Sequence, residues 1–248
     1  FVMAWAACGA LAGILVFWQY RDHRIRLGIG WLRETWPFSW RYAVSFGSTQ
    51  GSVLVASVAL AGILGARALG SIRGALLLFG PMVQFQAASI AAGVSETSHL
   101  RTDGAEVRRH VQRSTALTTG AAAANLLAVL LLPDRIGEMV LGDTWAGTKP
   151  LLWAAGTQMV FLGLISGVRS TLLGLRAVEK TLRLDIATTV ITFSTTVVGA
   201  ILGGVVGAFW ALAGGQAVVA LLWWAVYIDH RRHPMAAPRA IPAPAGAG

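Results

Sequence analysis

Charge is scarce in this sequence: Asp, Glu, Lys and Arg make up 12% of 248 residues, about half the share usual in soluble domains. Cysteine occurs once, as Cys8. That excludes an intrachain disulfide and any cysteine-rich metal site, and leaves Cys8 as a small packing residue in a helix. Lysine occurs only at Lys149 and Lys180, so the positive charge is almost all arginine. The five histidines (His23, His99, His110, His230 and His233) all fall in hydrophilic stretches, leaving none inside an apolar run for a proton relay. There is no nucleotide-binding loop, no metal-ligating cysteine pair and no nucleophile elbow. An integral-membrane enzyme acting on polyprenyl phosphates or sugars needs carboxylates or histidines gathered at the membrane surface. Glu138 and Asp143 read instead as solvated residues of an outer loop, and Asp185 as an interfacial partner of Arg183. The expectation is a protein that is not an enzyme and holds neither metal nor cofactor.

What the chain has in excess is apolar length. Hydrophobic residues make up 55% and mean hydropathy is +0.63. The apolar residues gather in runs of about 20, enough to cross a hydrocarbon core of roughly 30 Å at about 1.5 Å per residue. These runs predict an all-α, polytopic membrane helical bundle of about seven transmembrane helices. Residues 1–19 form the first, with Gly9 and Gly13 spaced for close helix approach. Residues 20–43 mix five arginines with tryptophans and read as an interfacial linker on the cytoplasmic membrane surface.

Further crossings are expected over residues 44–64, 70–93, 114–132, 150–168, 184–202 and 205–227. A turn around Arg67 separates the second and third, and Pro133 stops the fourth. A short surface helix is expected in 134–149 before a turn at Gly142 and Asp143. Hydrophilic connections are expected over 96–113 and 169–183, and a hairpin around Gly203 and Gly204 joins the last two crossings. Residues 228–248 read as a tail that turns hydrophilic and then Pro- and Ala-rich, with its end disordered.

With seven crossings, 16 of the 20 Lys and Arg residues fall on the side of the 20–43 segment. Basic residues favour the cytoplasm, so that side and the C-terminus are expected there. The net charge of +9 is then explained by anionic membrane lipids and orientation rather than by nucleic acid. The first crossing must enter from outside, and Phe1 lies within an apolar run with no basic stretch before it. A fragment of a longer membrane protein is expected.

The stretch 70–93, GSIRGALLLFGPMVQFQAASIAAG, stands apart. Gly80 and Pro81 predict a helix kink, because proline removes a backbone donor and crowds the preceding turn. Arg73, Gln84 and Gln86 flank it, and Gln50, Asn125 and Gln158 are the polar residues of other spans. All six are candidates for a substrate cavity, against the alternative that each bonds a neighbouring helix. A charge at mid-membrane costs roughly 2.5–3.5 kcal/mol. Arg73 therefore either snorkels to the outer surface or faces water, where its guanidinium suits a phosphate.

The motifs LGSIRGALLLFGP (69–81) and LGDTWAGTKPLL (141–152) resemble the C-terminal half of bacterial polysaccharide and lipopolysaccharide biosynthesis exporters, lipid-linked oligosaccharide flippases of the multidrug/oligosaccharidyl-lipid/polysaccharide flippase superfamily. The likeness is greatest to actinobacterial members and covers about residues 1–230. It implies a two-lobe protein of twelve or more spans in the bacterial inner membrane, moving an undecaprenyl-diphosphate-linked oligosaccharide outward by alternating access for cell-surface polysaccharide synthesis. Residues 1–19 would end the N-terminal lobe, 20–43 would link the lobes, and 44–227 would be the C-terminal six-helix lobe. The missing N-terminal lobe and a polysaccharide polymerase are candidate partners. The alternatives are a cation-coupled multidrug exporter of the same superfamily and a membrane-embedded glycosyl or acyl transferase.

Overall fold

The computed structural model describes residue 18 and residues 29–99, 104–175 and 177–232. Among them every element is helical. The chain divides into two compact units, Phe1–Trp40 and Arg41–Gly248. In the first, residues 29–40 are helical, and Trp36 and Trp40 are exposed. The expected crossing over 1–19 lies outside the described residues except for Trp18, which is helical and exposed.

The elements are α1 (Ile29–His99), α2 (Gly104–Leu130), α3 (Asp134–Leu141), α4 (Trp145–Thr148), α5 (Leu152–Gly174) and α6 (Val178–Arg232). Single 3-10 turns, Gly142–Thr144 and Lys149–Leu151, flank α4. Two of the long helices are broken by glycine. In α1 the break is Gly65, at φ 81° and ψ 169°, a conformation open to glycine and costly for other residues. It falls at the end of the expected 44–64 crossing. Gly65 is the residue inside α1 whose φ/ψ leave the helical region, so Gly80 and Pro81 lie within continuous helix. In α6 the break is Gly203 and Gly204, the latter at φ 60° and ψ −146°.

That second break is the expected hairpin. Trp223 Nε1 donates to Thr188 Oγ1 at 3.3 Å, and Lys180 Nζ pairs with Asp229 Oδ2 at 3.0 Å. Gly199 packs directly on Gly207 and Ala211. Residue numbers that rise on one arm and fall on the other place 178–202 antiparallel to 205–232.

The same logic orders the rest of the second unit around α5. Gly163 and Gly167 of α5 lie against Thr118–Thr119 and Val111–Thr115 of α2, and Gly156 against Leu126, which makes α2 and α5 antiparallel. Residues 66–99 run parallel to α5: Thr148 Oγ1 donates to Ser71 O at 3.2 Å at one end, Gln86 Nε2 to Met159 O at 2.9 Å in the middle, and Gly174 abuts Thr97 at the other. The first arm of α6 meets α5 through Arg169 and Asp185, the second through Trp224 Nε1, which donates to Leu164 O at 3.1 Å. From residue 66 the chain therefore makes five alternating passes.

Helix α5 is central because its residues are small. Ala154, Ala155, Gly156, Gly163, Ser166, Gly167, Ser170 and Thr171 are all buried, and small residues spaced by four let backbones approach. Three helical stretches of the described chain are long and apolar enough to cross a membrane: Ala68–Ser98, Asp134–Gly174 and Glu179–Arg232. The most apolar window of the one containing α5 is 61% buried, against 22% and 28% in the others. The core is split lengthwise. Phe79, Met82, Leu151, Leu152, Met159 and Phe209 form one cluster, and Val111, Val168, Leu172, Val219 and Trp223 the other.

Several expected connections are shorter than their hydrophilicity implies. The 96–113 stretch is helix up to His99 and again from Gly104, and the 169–183 stretch is helix up to Gly174 and again from Val178. Polarity there marks helix ends, where charged side chains reach solvent while the backbone stays hydrogen-bonded. In 134–149 the expected short helix is α3, followed by a turn at Gly142 with φ 56°.

Candidate functional site

The singled-out residues of 66–99 separate by face. Helical spacing puts Gln84 and Gln86 about 200° apart, and they meet different surroundings. Gln86 is 6% exposed and donates to the Met159 carbonyl of α5, so its amide ties two helices together. Arg73, Pro81 and Gln84 are exposed, with Leu76, Leu77, Val83 and Phe85 beside them. This mixed face is the outer surface of the least buried of the three apolar stretches. Gly74, next to Arg73, is buried against Thr148 and Leu141. Arg73 thus lies near the end of the bundle that α3 and α4 cap.

That cap is held by charge. Lys149 Nζ reaches Asp134 Oδ1 and Oδ2 at 2.7 and 2.9 Å, and Trp145 Nε1 donates to Oδ1 at 2.9 Å. A cavity of about 340 Å³ lies beside it, lined chiefly by Val129, Leu130, Trp145, Leu152 and Trp153. Glu138 and Asp143 are exposed there, as their sequence context implies.

Asn125 and Gln158 are half-buried, and Asn125 Oδ1 is enclosed without a hydrogen-bond partner. The side chain of Gln50 lies outside the described residues. No two of the described candidate side chains are joined by a hydrogen bond, and none lines either cavity.

The opposite end gathers basic residues from four of the five passes. Arg108, Arg109, Arg113, Arg169, Lys180, Arg183, Arg231 and Arg232 lie there. Asp185 is paired with Arg169, not with Arg183 as its sequence neighbourhood implied: Arg169 Nη2 stands 3.1 Å from Oδ1 and 3.2 Å from Oδ2. On a helix residues two apart point away from each other, whereas the antiparallel contact of α5 and α6 brings 169 to 185. The carboxylate is 7% exposed, and the guanidinium also lies over Trp223 at 5.9 Å.

His110 is the residue the sequence reading misplaced. It sits not in a loop but in α2, 9% exposed, with Nδ1 3.2 Å from Glu96 Oε2 and Nε2 buried without a partner. Its signal is positional, because Val107, His110, Val111, Thr115, Thr118 and Ala122 form one buried row at spacings of three and four. His110 also lines a second cavity of about 490 Å³, between the last turns of α1 and the first of α2.

No group of three or more His, Cys, Asp or Glu among the described residues is placed to hold a metal ion. No known protein family, curated protein or solved structure matches this chain.

Proposed function

We propose that this chain is the second lobe of a bacterial inner-membrane flippase that carries an undecaprenyl-diphosphate-linked oligosaccharide outward by alternating access. The observation that carries the reading is the exposed face of 66–99. There Arg73 and Gln84 stand on either side of Pro81 on a stretch whose apolar window is 22% buried. A charge at mid-membrane costs roughly 2.5–3.5 kcal/mol, and Arg73 near the end of the bundle together with the Gln84 amide suits a face that water or a partner protein covers. A first lobe closing an aqueous cavity against it supplies both.

In this reading Arg73 meets the diphosphate near the outer end of the path, and the chain crosses the membrane seven times with its basic end and C-terminus in the cytoplasm. Gly80 and Pro81 stand at mid-path in this reading, within continuous helix. A polysaccharide polymerase is the downstream partner. The test is made on the parent protein in its own cell, with Arg73→Ala and Gln84→Ala. Surface polysaccharide should fall while lipid-linked precursor accumulates. Unchanged precursor and polysaccharide levels with normal protein abundance would sink the assignment, and loss of drug resistance instead would mark a drug exporter.

A further inference from the structure

The groove between the end of α1 and the start of α2 is built from two facing helical rows. On α1 they are Ser89, Ala92 and Glu96; on α2, Glu106, Arg109, Arg113 and Leu117. From Glu106 to Leu117 the row runs about 16 Å along the axis. Its upper part carries charge of both signs: Glu96, Glu106, Arg109 and Arg113 are all exposed, and no ion pair among the described residues joins either arginine to either glutamate. Its lower end is uncharged, with Ser89, Ala92, Ser114 and Leu117, and Leu117 is 62% exposed. His110 forms part of the wall and is fixed by its contact with Glu96.

Such a gradient matches a lipid, polar at the head and apolar below. The charges choose the head. Two arginines against two glutamates make a lining of zero formal charge, which penalises a bare anion and suits a group carrying both signs. Guanidinium takes a phosphodiester through paired hydrogen bonds, and carboxylates take a primary ammonium the same way. A quaternary ammonium prefers an aromatic cage, and the lining holds no Phe, Tyr or Trp.

We infer that this groove binds a phosphoethanolamine headgroup, with the phosphodiester on Arg109 and Arg113, the ammonium on Glu96 and Glu106, and an acyl chain leaving past Leu117. The inference rests on the chain lying in a membrane and not on the transport reading, and a binding measurement separates the two.

The full chain, purified in detergent, is offered phosphatidylethanolamine, phosphatidylcholine and phosphatidylglycerol with matched acyl chains, and retained lipid is counted by native mass spectrometry. Phosphatidylethanolamine should be retained at least tenfold over the other two. The R109Q/R113Q double variant should abolish that preference, and E96Q/E106Q should let phosphatidylglycerol equal or exceed phosphatidylethanolamine. All four residues are exposed, and Glu96→Gln keeps an oxygen for the contact with His110, so the variants should keep their fold, which an unchanged melting temperature verifies. Soluble glycerophosphoethanolamine at the same concentration should fail to displace the lipid. Equal displacement overturns the role of the acyl chain, and equal retention of the three lipids, or a preference that survives R109Q/R113Q, overturns the site.

Discussion

Replacing Gly163 by alanine tests whether α5 is held by backbone-to-backbone contact. A Cβ there would lie 2.8 Å from Thr119 Cα, 2.9 Å from Thr119 N and 3.0 Å from Thr118 C, where ordinary contact begins near 3.4 Å. The shortfall is 0.4–0.6 Å, and none of these atoms can rotate aside. One turn along, a Cβ on Gly167 would stand 2.8 Å from Val111 O and 2.9 Å from Thr115 N, so the seam has no slack to take up the displacement. Overpacking of this kind costs about 1–3 kcal/mol. Separating the helices also strains the bond from Thr118 Oγ1 to Gly163 O, now 2.8 Å, and interhelical bonds in membranes average about 0.6 kcal/mol. Alanine returns up to about 1 kcal/mol of helix propensity.

The net loss is about 1–3 kcal/mol, or about 3–10 °C in melting temperature for a domain of this size. Gly120→Ala is the matched control, because a Cβ there meets nothing within 4 Å, and it should stabilise by about 0.5–1 kcal/mol. Both are read as thermal melts of the purified protein in one detergent. If Gly163→Ala melts no lower than Gly120→Ala, the seam is not as tight as the structure has it.

Two further perturbations probe the ends of the bundle. Arg169→Ala removes a charge-assisted hydrogen bond from the Asp185 carboxylate and should destabilise by about 1–3 kcal/mol. Adding Asp185→Asn should recover part of that loss in a double-mutant cycle, and strictly additive effects would refute the coupling. Gly204→Ala forces a side chain to φ 60° and ψ −146° and should cost about 1–3 kcal/mol, while Gly203→Ala, at φ −139°, should cost less. Equal melting temperatures for the two would mean that the hairpin does not depend on that dihedral.

Much of the helical layout was legible because its punctuation is chemical. Pro133, Gly142 and the Gly203–Gly204 pair each stand where a helix ends or turns, and the positive φ of Gly142 and Gly204 demands glycine. Polarity misled at the 96–113 and 169–183 stretches, since an arginine-rich segment reads alike whether it is loop or helix end. The break at Gly65 was approached through hydropathy, but nothing local distinguishes that glycine from Gly62 or Gly70.

At the level of side chains, composition pointed to the right residue types and not to their neighbours. Gln86 and Gln84 look equivalent in the sequence, and only the packing of α5 makes one a buried tie and leaves the other exposed. The Arg169–Asp185 pair and the seat of His110 depend on which helices are adjacent, and periodicity alone does not determine that.

Five alternating passes from residue 66 have a consequence for measuring orientation. An odd number of passes puts Arg232 at the end of the bundle opposite residue 66, alongside Gly104 and Leu175. One reporter fused after residue 232 and one label at exposed Ala105 should therefore give the same answer about sidedness, and a label at exposed Asp143 the opposite one. Agreement of the first two with disagreement of the third would fix the orientation of the five passes from residue 66 with three positions.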